Sequence, residues 1–296
     1  MSTFLRKLVF GLIGLLGGMA AWPISEIVIA YQSAFSSFLV FTICLGAVFG
    51  AVMGMFLGSS EGITLSIRPK IGPGMITGAL VGIIGGIVGF LIGQGVLFFI
   101  SEIVLHSNRS LRAIGLPVSR IVSWTCLGVF IGMVEGIRAL SLSKIRVGVL
   151  GGIVGGCLGG LTLELLDARF PEAQFSRLAG LMVFGFLIGI FYGLFEKGLS
   201  NGVLRLLNGK LKGKEYLLVQ RRIRVGASEK ADIQLIDYRD VADIHALLKI
   251  TKDTVTISKA KKEARVLVND LKIEEQALKF EDVVQMGSAK FLFFYK

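Results

Sequence analysis

Residues 54–62 read Gly54-Met-Phe-Leu-Gly58-Ser-Ser-Glu61-Gly62, and this line determines how the first two thirds of the chain are interpreted. It returns as Gly128-Val-Phe-Ile-Gly132-Met-Val-Glu135-Gly136 and as Gly189-Ile-Phe-Tyr-Gly193-Leu-Phe-Glu196-Lys197. Each copy ends an apolar stretch and carries two glycines four residues apart, which places both glycines on one face of a helix. The pattern predicts apolar helices that pack closely through small residues.

The first two thirds of the chain contain six hydrophobic stretches, three of which include the repeated line. Each stretch is close in length to the roughly 20 residues needed to cross a bilayer. They lie at about 5–23, 36–58, 73–100, 116–136, 146–166 and 177–196. The odd-numbered stretches carry their own glycines four apart, for example Gly78, Gly82 and Gly86. We therefore predict an all-α polytopic membrane bundle of six glycine-rich helices, built as three pseudo-repeated hairpins.

The composition indicates that one part of the chain lies in a lipid bilayer and the other in water. With 53% hydrophobic and only 18% charged residues, the whole chain does not fit a water-soluble globule, and its three cysteines do not fit a secreted disulfide scaffold. Residues 1–200 hold 13 Lys/Arg and 8 Asp/Glu, whereas residues 201–296 hold 19 and 13. We predict a transmembrane domain at 1–200, a basic juxtamembrane linker at 201–213 and a cytoplasmic all-β domain at 214–296.

Charge flanking the spans predicts their orientation. An even number of spans puts both termini on one side, and the base-rich flanks Arg6–Lys7, Arg68–Lys70 and Arg138–Arg146 share that side with the C-terminal part. The first of the opposite loops carries no base, the second carries Arg109, Arg112 and Arg120, and the third carries Arg169 and Arg177. The second loop weakens the bias without reversing it. The sequence predicts a multi-pass protein of the cytoplasmic (inner) membrane with both termini in the cytoplasm.

Three carboxylates are candidates for a site within the membrane. Glu61, Glu135 and Glu196 each lie in the last turn of an even-numbered span. They could converge as a cation site or proton relay, because intramembrane carboxylates are often functional. Alternatively they are interfacial anchors, solvated by water and by bases such as Arg138. Their position at span ends, and the absence of other charges at mid-membrane, favour the anchoring role over a coupled transporter.

The C-terminal third changes to short β-type runs separated by polar turns, typical of a β-sandwich. The predicted strands are 215–220, 221–225, 232–235, 246–250, 254–258, 265–268, 282–286 and 290–295. The basic stretch Arg205–Arg224 before and within them indicates anionic membrane lipids as partners. No aromatic platform or reading helix accompanies it, so we expect no nucleic-acid binding.

Within this third, Val225-Gly226-Ala227-Ser228-Glu229-Lys230-Ala231-Asp232-Ile233 and Val241-Ala242-Asp243-Ile244-His245-Ala246 resemble the core of a forkhead-associated (FHA) domain. Val266-Leu267-Val268-Asn269 and the run from Leu278 to Gly287 continue the resemblance, which covers about the last 80 residues in order. It implies a sandwich whose loops at one end bind phosphothreonine peptides. It also implies structural roles for Gly226, His245 and Asn269.

The sequence departs from the FHA pattern at the positions that hold phosphate. The family arginine after the glycine is Ala227, the serine before the histidine is Ala242, and the base after that serine is Asp243. An acid there repels a phosphate dianion. We predict a partner-binding surface formed by seven loop residues, namely Ala227, Ser228, Glu229, Lys230, Arg239, Ala242 and Asp243. A phosphate site rebuilt from Ser228, Lys230 and Arg239 stays an alternative.

No catalytic triad, nucleotide-binding loop or metal-ligand spacing is evident, so we expect neither an enzyme nor a cofactor or metal. The first hypothesis is a membrane-anchored scaffold that recruits a protein partner through a degenerate, phospho-independent FHA domain. The second is a small channel or transporter regulated by that domain, and the third is a phosphothreonine-dependent signalling receptor. A homo-oligomer is compatible with each of them.

Overall fold

A computed structural model describes residues 3–105, 111–170, 174–251, 254–261 and 263–295. The chain divides into two compact units. Residues 6–140 and 144–195 form a helical unit. The second unit consists mainly of the chain from Glu196 onward, which contains the described strands, together with residues 3–5 and 141–143.

The described part of the helical region contains six long helices. They are α1 (Thr3–Ala30), α2 (Phe38–Leu65), α3 (Arg68–Leu105), α4 (Leu111–Arg138), α5 (Leu142–Arg169) and α6 (Gln174–Gly198). All six are long and apolar enough to cross a membrane, which confirms the predicted architecture of six spans. We call the end with the loops after α1, α3 and α5 the outer end, and the end with the turns after α2 and α4 the inner end.

Glycine backbones meet directly along three helix pairs. A Cβ atom added to Gly78 of α3 would collide with the carbonyl oxygen of Gly54 in α2, and the reverse also holds. The same reciprocal contact joins Gly46 with Gly86, Gly50 with Gly82, Gly58 with Gly74, Gly128 with Gly152, Gly132 with Gly148, and Gly14 with Gly185. Such contacts let helix axes approach closely, so dispersion forces and Cα–H···O contacts can hold the helices together.

These glycine seams join α2 to α3, α4 to α5, and α6 to α1. They therefore lie between one predicted hairpin and the next, rather than within a hairpin. Two of the seams follow a tight inner turn, and both turns place a residue in the left-handed region at an equivalent position, Ser66 (φ 56°) and Leu140 (φ 48°). The third seam joins the first helix to the last.

An apolar core fills the middle of the helical unit. Met53, Leu127 and Ile188 precede the first glycine of the three repeated lines, and each is at most 1% exposed. They belong to one cluster with Phe49 and Phe184, against which Trp124 packs. The equivalent faces of α2, α4 and α6 thus bury large apolar side chains against one another.

The second unit is a β-sandwich. Its strands are β1 (Val203–Leu206), β2 (Glu215–Leu217), β3 (Arg222–Gly226), β4 (Ile233–Gln234), β5 (Ala246–Thr251), β6 (Thr254–Lys259), β7 (Val266–Val268), β8 (Leu271–Ile273), β9 (Glu275–Ala277), β10 (Val283–Met286) and β11 (Ala289–Phe294). One sheet has the order β2-β1-β11-β10-β7-β8 and the other β4-β3-β5-β6-β9. Alternating residues such as Leu204, Val225, Leu248 and Phe291 are at most 1% exposed and form the core.

The structure differs from the sequence-based boundaries at the start of this domain. Residues 203–206, predicted within the linker 201–213, form strand β1, which pairs with β2 and with β11. The reason is that Leu204 and Leu206 bury their side chains in the sandwich while Arg205 points outward. Strands β8 and β9, short and mostly exposed, were also not predicted.

Candidate partner-binding loops and buried charges

The strand directions bring six connections to one end of the sandwich. Leu206, Gly226, Ala246, Lys259, Val266 and Met286 lie at or next to this end of their strands. The connections there are 207–214, 227–232, 235–245, 260–265, 274 and 287–288. We call this the loop end. The chain enters β1 at Val203, which pairs with Phe294 at the opposite end.

Four of the seven predicted partner-binding positions are joined by backbone hydrogen bonds at the loop end. The backbone N–H of Ala227 donates to the carbonyl of Ala242 at 3.0 Å, and that of Ser228 donates to the carbonyl of Asp243 at 3.1 Å. Gly226 is required here, because a Cβ at this position would collide with the Asp243 carbonyl. The two loops are therefore joined through backbone groups. The side chains at this contact are two methyl groups, the Ser228 hydroxyl and the exposed Asp243 carboxylate.

His245 braces these loops from inside the domain. The ring is buried, and its Nδ1 accepts a hydrogen bond from the N–H of Ala242 at 3.1 Å. The ring proton is consequently on Nε2, which donates to the Arg265 carbonyl at 3.0 Å. His245 thus links the loop before β5 to the loop before β7. This is the geometry of a structural histidine.

The three residues of the alternative phosphate site have separate attachments. Ser228 Oγ accepts the N–H of Lys230 at 3.2 Å, so these two residues share one turn. Arg239 is exposed, and its backbone bonds to Ser288, with its N–H donating to Ser288 Oγ at 2.9 Å. Arg239 is therefore fixed to the β10–β11 turn, whereas Ser228 is fixed to residues 242–243.

Sequence reasoning missed a second brace of the loop end. The Tyr238 hydroxyl donates to the Asn208 carbonyl at 2.7 Å, and the Asn208 side chain donates to the Ser288 carbonyl at 2.7 Å. Burial and the nearby Asp237 charge raise the pKa of Tyr238, so this hydroxyl keeps the proton that it donates. Asparagine in a turn and a single tyrosine within a polar loop give no sequence signal for such a long-range contact.

The central loops carry an excess of negative charge. Residues 227–245 contain five acids (Glu229, Asp232, Asp237, Asp240, Asp243) and two bases (Lys230, Arg239), a net charge of 2 − 5 = −3. Asp232 pairs with Arg224 of β3 at 3.3 Å, but Asp240 and Asp243 are exposed. Asp237 pairs with Lys210 at 3.5 Å, so the acids left exposed beside Ala227 and Ala242 are Glu229, Asp240 and Asp243.

Asn269 serves the opposite end of the domain. It adopts a left-handed conformation (φ 52°) in the β7–β8 turn, and its side chain donates to Asp282 Oδ1 at 2.8 Å and accepts the N–H of Val283 at 2.9 Å. Asp282 is itself buried and accepts the N–H of Lys279. These bonds fix the turn before β10, away from the loop end.

In the helical unit, two of the three repeated carboxylates meet at the inner end. Arg138 donates to Glu61 at 2.6 Å and to Glu135 at 2.8 Å, and Lys144 donates to Glu61 at 2.6 Å. Arg138 also donates to the Lys70 carbonyl at 2.9 Å. The cluster thus joins α2, α4, α5 and the start of α3. Glu196 is buried in the equivalent turn of α6.

Comparisons with known proteins concern the C-terminal third. Residues 205–296 match a family model described as the cytoplasmic domain of an inner membrane component of type III secretion systems (T3SS). The comparison with curated proteins finds no significant match.

Solved structures similar to this third include the FHA domain of the CT664 protein from Chlamydia trachomatis, which is 29% identical, with a TM-score of 0.30, 32% of this chain and 97% of that chain covered. The Slr1951 protein from Synechocystis sp. is 25% identical, with a TM-score of 0.29 and coverages of 32% and 95%. The cytoplasmic domain of the T3SS sorting platform protein PscD from P. aeruginosa is 19% identical, with a TM-score of 0.29 and coverages of 32% and 79%. The FHA-like interpretation of the C-terminal part is confirmed.

Proposed function

We propose that this protein is a non-enzymatic membrane-anchored scaffold whose FHA-like domain recruits a protein partner without a phosphate on that partner. Six helices with the length and composition of membrane spans supply the anchor. The match of residues 205–296 to the cytoplasmic domain of an inner membrane component supports a cytoplasmic location for the sandwich. With an even number of spans, both termini then lie in the cytoplasm.

The observation that carries the proposal is the contact between residues 227–228 and 242–243. Phosphate recognition needs charged donors, hydroxyl groups and free backbone N–H groups. At this contact the N–H groups of Ala227 and Ser228 are used by the carbonyls of Ala242 and Asp243. Ala227 and Ala242 offer no side-chain donor, and residues 227–245 carry a net charge of −3. These two loops therefore suit a neutral or basic protein segment better than a phosphorylated one.

The other two hypotheses have less support. A channel needs an open path along the bundle, but Met53, Leu127 and Ile188 pack together at its middle. A cation site needs acids with free charge, whereas Glu61 and Glu135 lie within 2.6–2.8 Å of Arg138 or Lys144. A phosphothreonine receptor would need Arg239 to act together with Ser228, although these residues are attached to different turns.

Site-specific crosslinking on the full chain tests the proposal. A photoreactive residue replaces Glu229 at the loop end, and a matched control carries it at Leu271, which is 71% exposed at the opposite end. We expect a protein to crosslink from position 229 but not from 271, and the crosslink to survive phosphatase treatment of the membranes. Loss of the crosslink after phosphatase treatment, or equal crosslinking from both positions, would contradict the proposal.

A further inference from the structure

A large cavity lies at the outer end of the helical unit. Its volume is about 490 Å³, within the range of roughly 300–1,000 Å³ found for small-molecule sites. Every helix contributes to its wall, through Ile29, Phe41, Phe90, Trp124, Leu163 and Arg177 among others. Neither the buried charges of the inner end nor the FHA-like domain takes part in it.

The cavity wall is apolar towards the middle of the bundle and charged towards the outer end. Leu45, Trp124 and Leu163 lie on the inner side, and Arg120 and Asp167 lie about one turn further out on α4 and α5. Glu164 follows Leu163 directly, and Arg177 lies in the first turn of α6. Two positive and two negative side chains thus line the outer part of a mostly apolar chamber, whose wall also carries the neutral polar residues Thr42, Gln94, Ser119 and Ser123. A ligand that matches this wall carries both charges at one end and an apolar body at the other.

The ion pairs at the outer end are longer and more exposed than those at the inner end. Arg120 lies 3.4 Å from Glu164 and 3.5 Å from Asp167, and Arg177 lies 3.2 Å from Glu26, all beyond the 2.7–2.9 Å of a strong charge-assisted hydrogen bond. The two arginine side chains are 51% and 42% exposed. At the inner end the corresponding distances are 2.6–2.8 Å between buried groups. The inner charges therefore form short pairs, although Glu135 Oε1 is buried without a hydrogen-bond partner. The outer charges form longer, more exposed pairs and retain donor and acceptor capacity for a ligand.

We propose that this cavity binds one zwitterionic phospholipid with a primary ammonium head group, of the phosphatidylethanolamine type. Its phosphate lies at Arg120 and Arg177, and its ammonium donates to Glu164 and Asp167. A net anionic lipid would leave the carboxylates without a cation, and a quaternary ammonium has no N–H to donate to them. Phe38 also lines the cavity and is 61% exposed, which provides a lateral opening through which an acyl chain extends into the bilayer.

Tryptophan fluorescence of the full chain tests this proposal. The chain has two tryptophans, so the variant Trp22→Phe leaves Trp124, in the cavity wall, as the single reporter. The variant is reconstituted in phosphatidylcholine bilayers that contain increasing fractions of phospholipids with brominated acyl chains, which quench nearby tryptophan. We expect brominated phosphatidylethanolamine to quench Trp124 with a relative binding constant about tenfold above those of brominated phosphatidylcholine and phosphatidylglycerol.

The head-group contacts are tested by the double variant Glu164→Gln with Asp167→Asn, which should remove the preference for phosphatidylethanolamine. Its matched control is Arg146→Gln, an exposed charge at the inner end of the same helix, which should retain the preference. Equal quenching by all three lipids, a preference for phosphatidylglycerol, or protection of Trp124 by a bound protein segment would overturn the proposal. The comparison of the three lipids needs no cavity variant, so a double variant that fails to fold leaves the test intact.

Discussion

At the scale of single residues, the repeated acids Glu61 and Glu135 are held by Arg138, which contacts both of them. Carboxylates at the end of a membrane helix are costly to bury without a partner. Because these charges are paired at short distances, we interpret the cluster as a lock between α2, α4 and α5 rather than a path for ions. At the outer end, Arg120 lies 3.4–3.5 Å from Glu164 and Asp167 of α5, which offset its charge there.

The variant Arg138→Gln should destabilise the helical unit strongly. It leaves two buried carboxylates without their shared cation, and breaking a buried ion pair in this way costs about 3–5 kcal/mol in soluble proteins. Thermal unfolding in detergent measures the effect. The matched control Arg120→Gln removes a longer, exposed pair and should change stability by about 1 kcal/mol or less. Similar unfolding temperatures for the two variants would contradict the assignment of Arg138 as the lock.

Within the sandwich, the variant His245→Ala should loosen the loop end. It removes two hydrogen bonds and leaves a small cavity, a loss of roughly 2–3 kcal/mol. Hydrogen exchange should increase in residues 238–244 and 260–265 and stay unchanged around Asn269. The control Asp243→Ala alters an exposed side chain in the same loop and should shift stability by about 0.5 kcal/mol at most. Unchanged exchange in His245→Ala would show that the histidine is not the brace.

At the scale of elements, the glycine seams bring the backbones of two helices into direct contact, which leaves no room for a side chain between them. The variants Gly132→Leu and Gly152→Leu place a large side chain between the backbones of α4 and α5. Even a single Cβ atom at either position would collide with a carbonyl group of the facing helix. Overpacking costs about 1–3 kcal/mol in soluble cores, and rigid helix backbones relax less than side chains. Both variants should therefore accumulate poorly or unfold earlier in detergent.

The control for the glycine seams is Gly95→Leu in α3, where an added Cβ meets nothing within 4 Å. It should fold like the unsubstituted chain, because the new side chain extends into open space. A loss of stability in Gly95→Leu equal to that in Gly132→Leu would assign the effect to leucine itself, and the close-packing account would fail.

The periodicity of the sequence predicted where helices and strands lie better than it predicted which of them pack against each other. The spacing of Gly78, Gly82 and Gly86 reveals which face of α3 is bare, yet it does not specify that Gly46, Gly50 and Gly54 of α2 meet that face. The seam between Gly14 and Gly185 is even harder to predict from the sequence, since it joins the first and the last helix of the helical region. Strand β1 was assigned to a basic linker because Val203–Leu206 offers only four residues, and its pairing with β11 depends on tertiary contacts.

The candidate site was predicted in its composition but not in its geometry. The FHA resemblance identified Ala227, Ala242 and Asp243 as neighbours of a lost phosphate site, and their loops do lie in contact. The attachment of Arg239 to the β10–β11 turn comes from its hydrogen bonds with Ser288, which link positions far apart in the sequence. The outer cavity left no motif, because its polar residues come from single positions on different helices.

At the scale of the whole molecule, the account places both termini in the cytoplasm. Reporter fusions after residues 30, 70, 142 and 205 should read outside, inside, inside and inside, because basic flanks accompany the last three positions. An outside signal at 205 would place the FHA-like domain in the wrong compartment for the proposed scaffold. An inside signal at 30 together with an outside signal at 70 would show that the bundle has the opposite orientation in the membrane.

The central claim is that the FHA-like domain binds its partner without phosphate, and a titration of the full chain in detergent tests it most directly. Matched libraries of phosphothreonine and threonine peptides are titrated against the chain, with the variant Ala227→Arg, Ala242→Ser, Asp243→Arg as a control that restores the family residues. The account predicts no preference for phosphopeptides in the unsubstituted chain and a gain of preference in the control. A preference of about tenfold or more in the unsubstituted chain, about 1.4 kcal/mol, would contradict it.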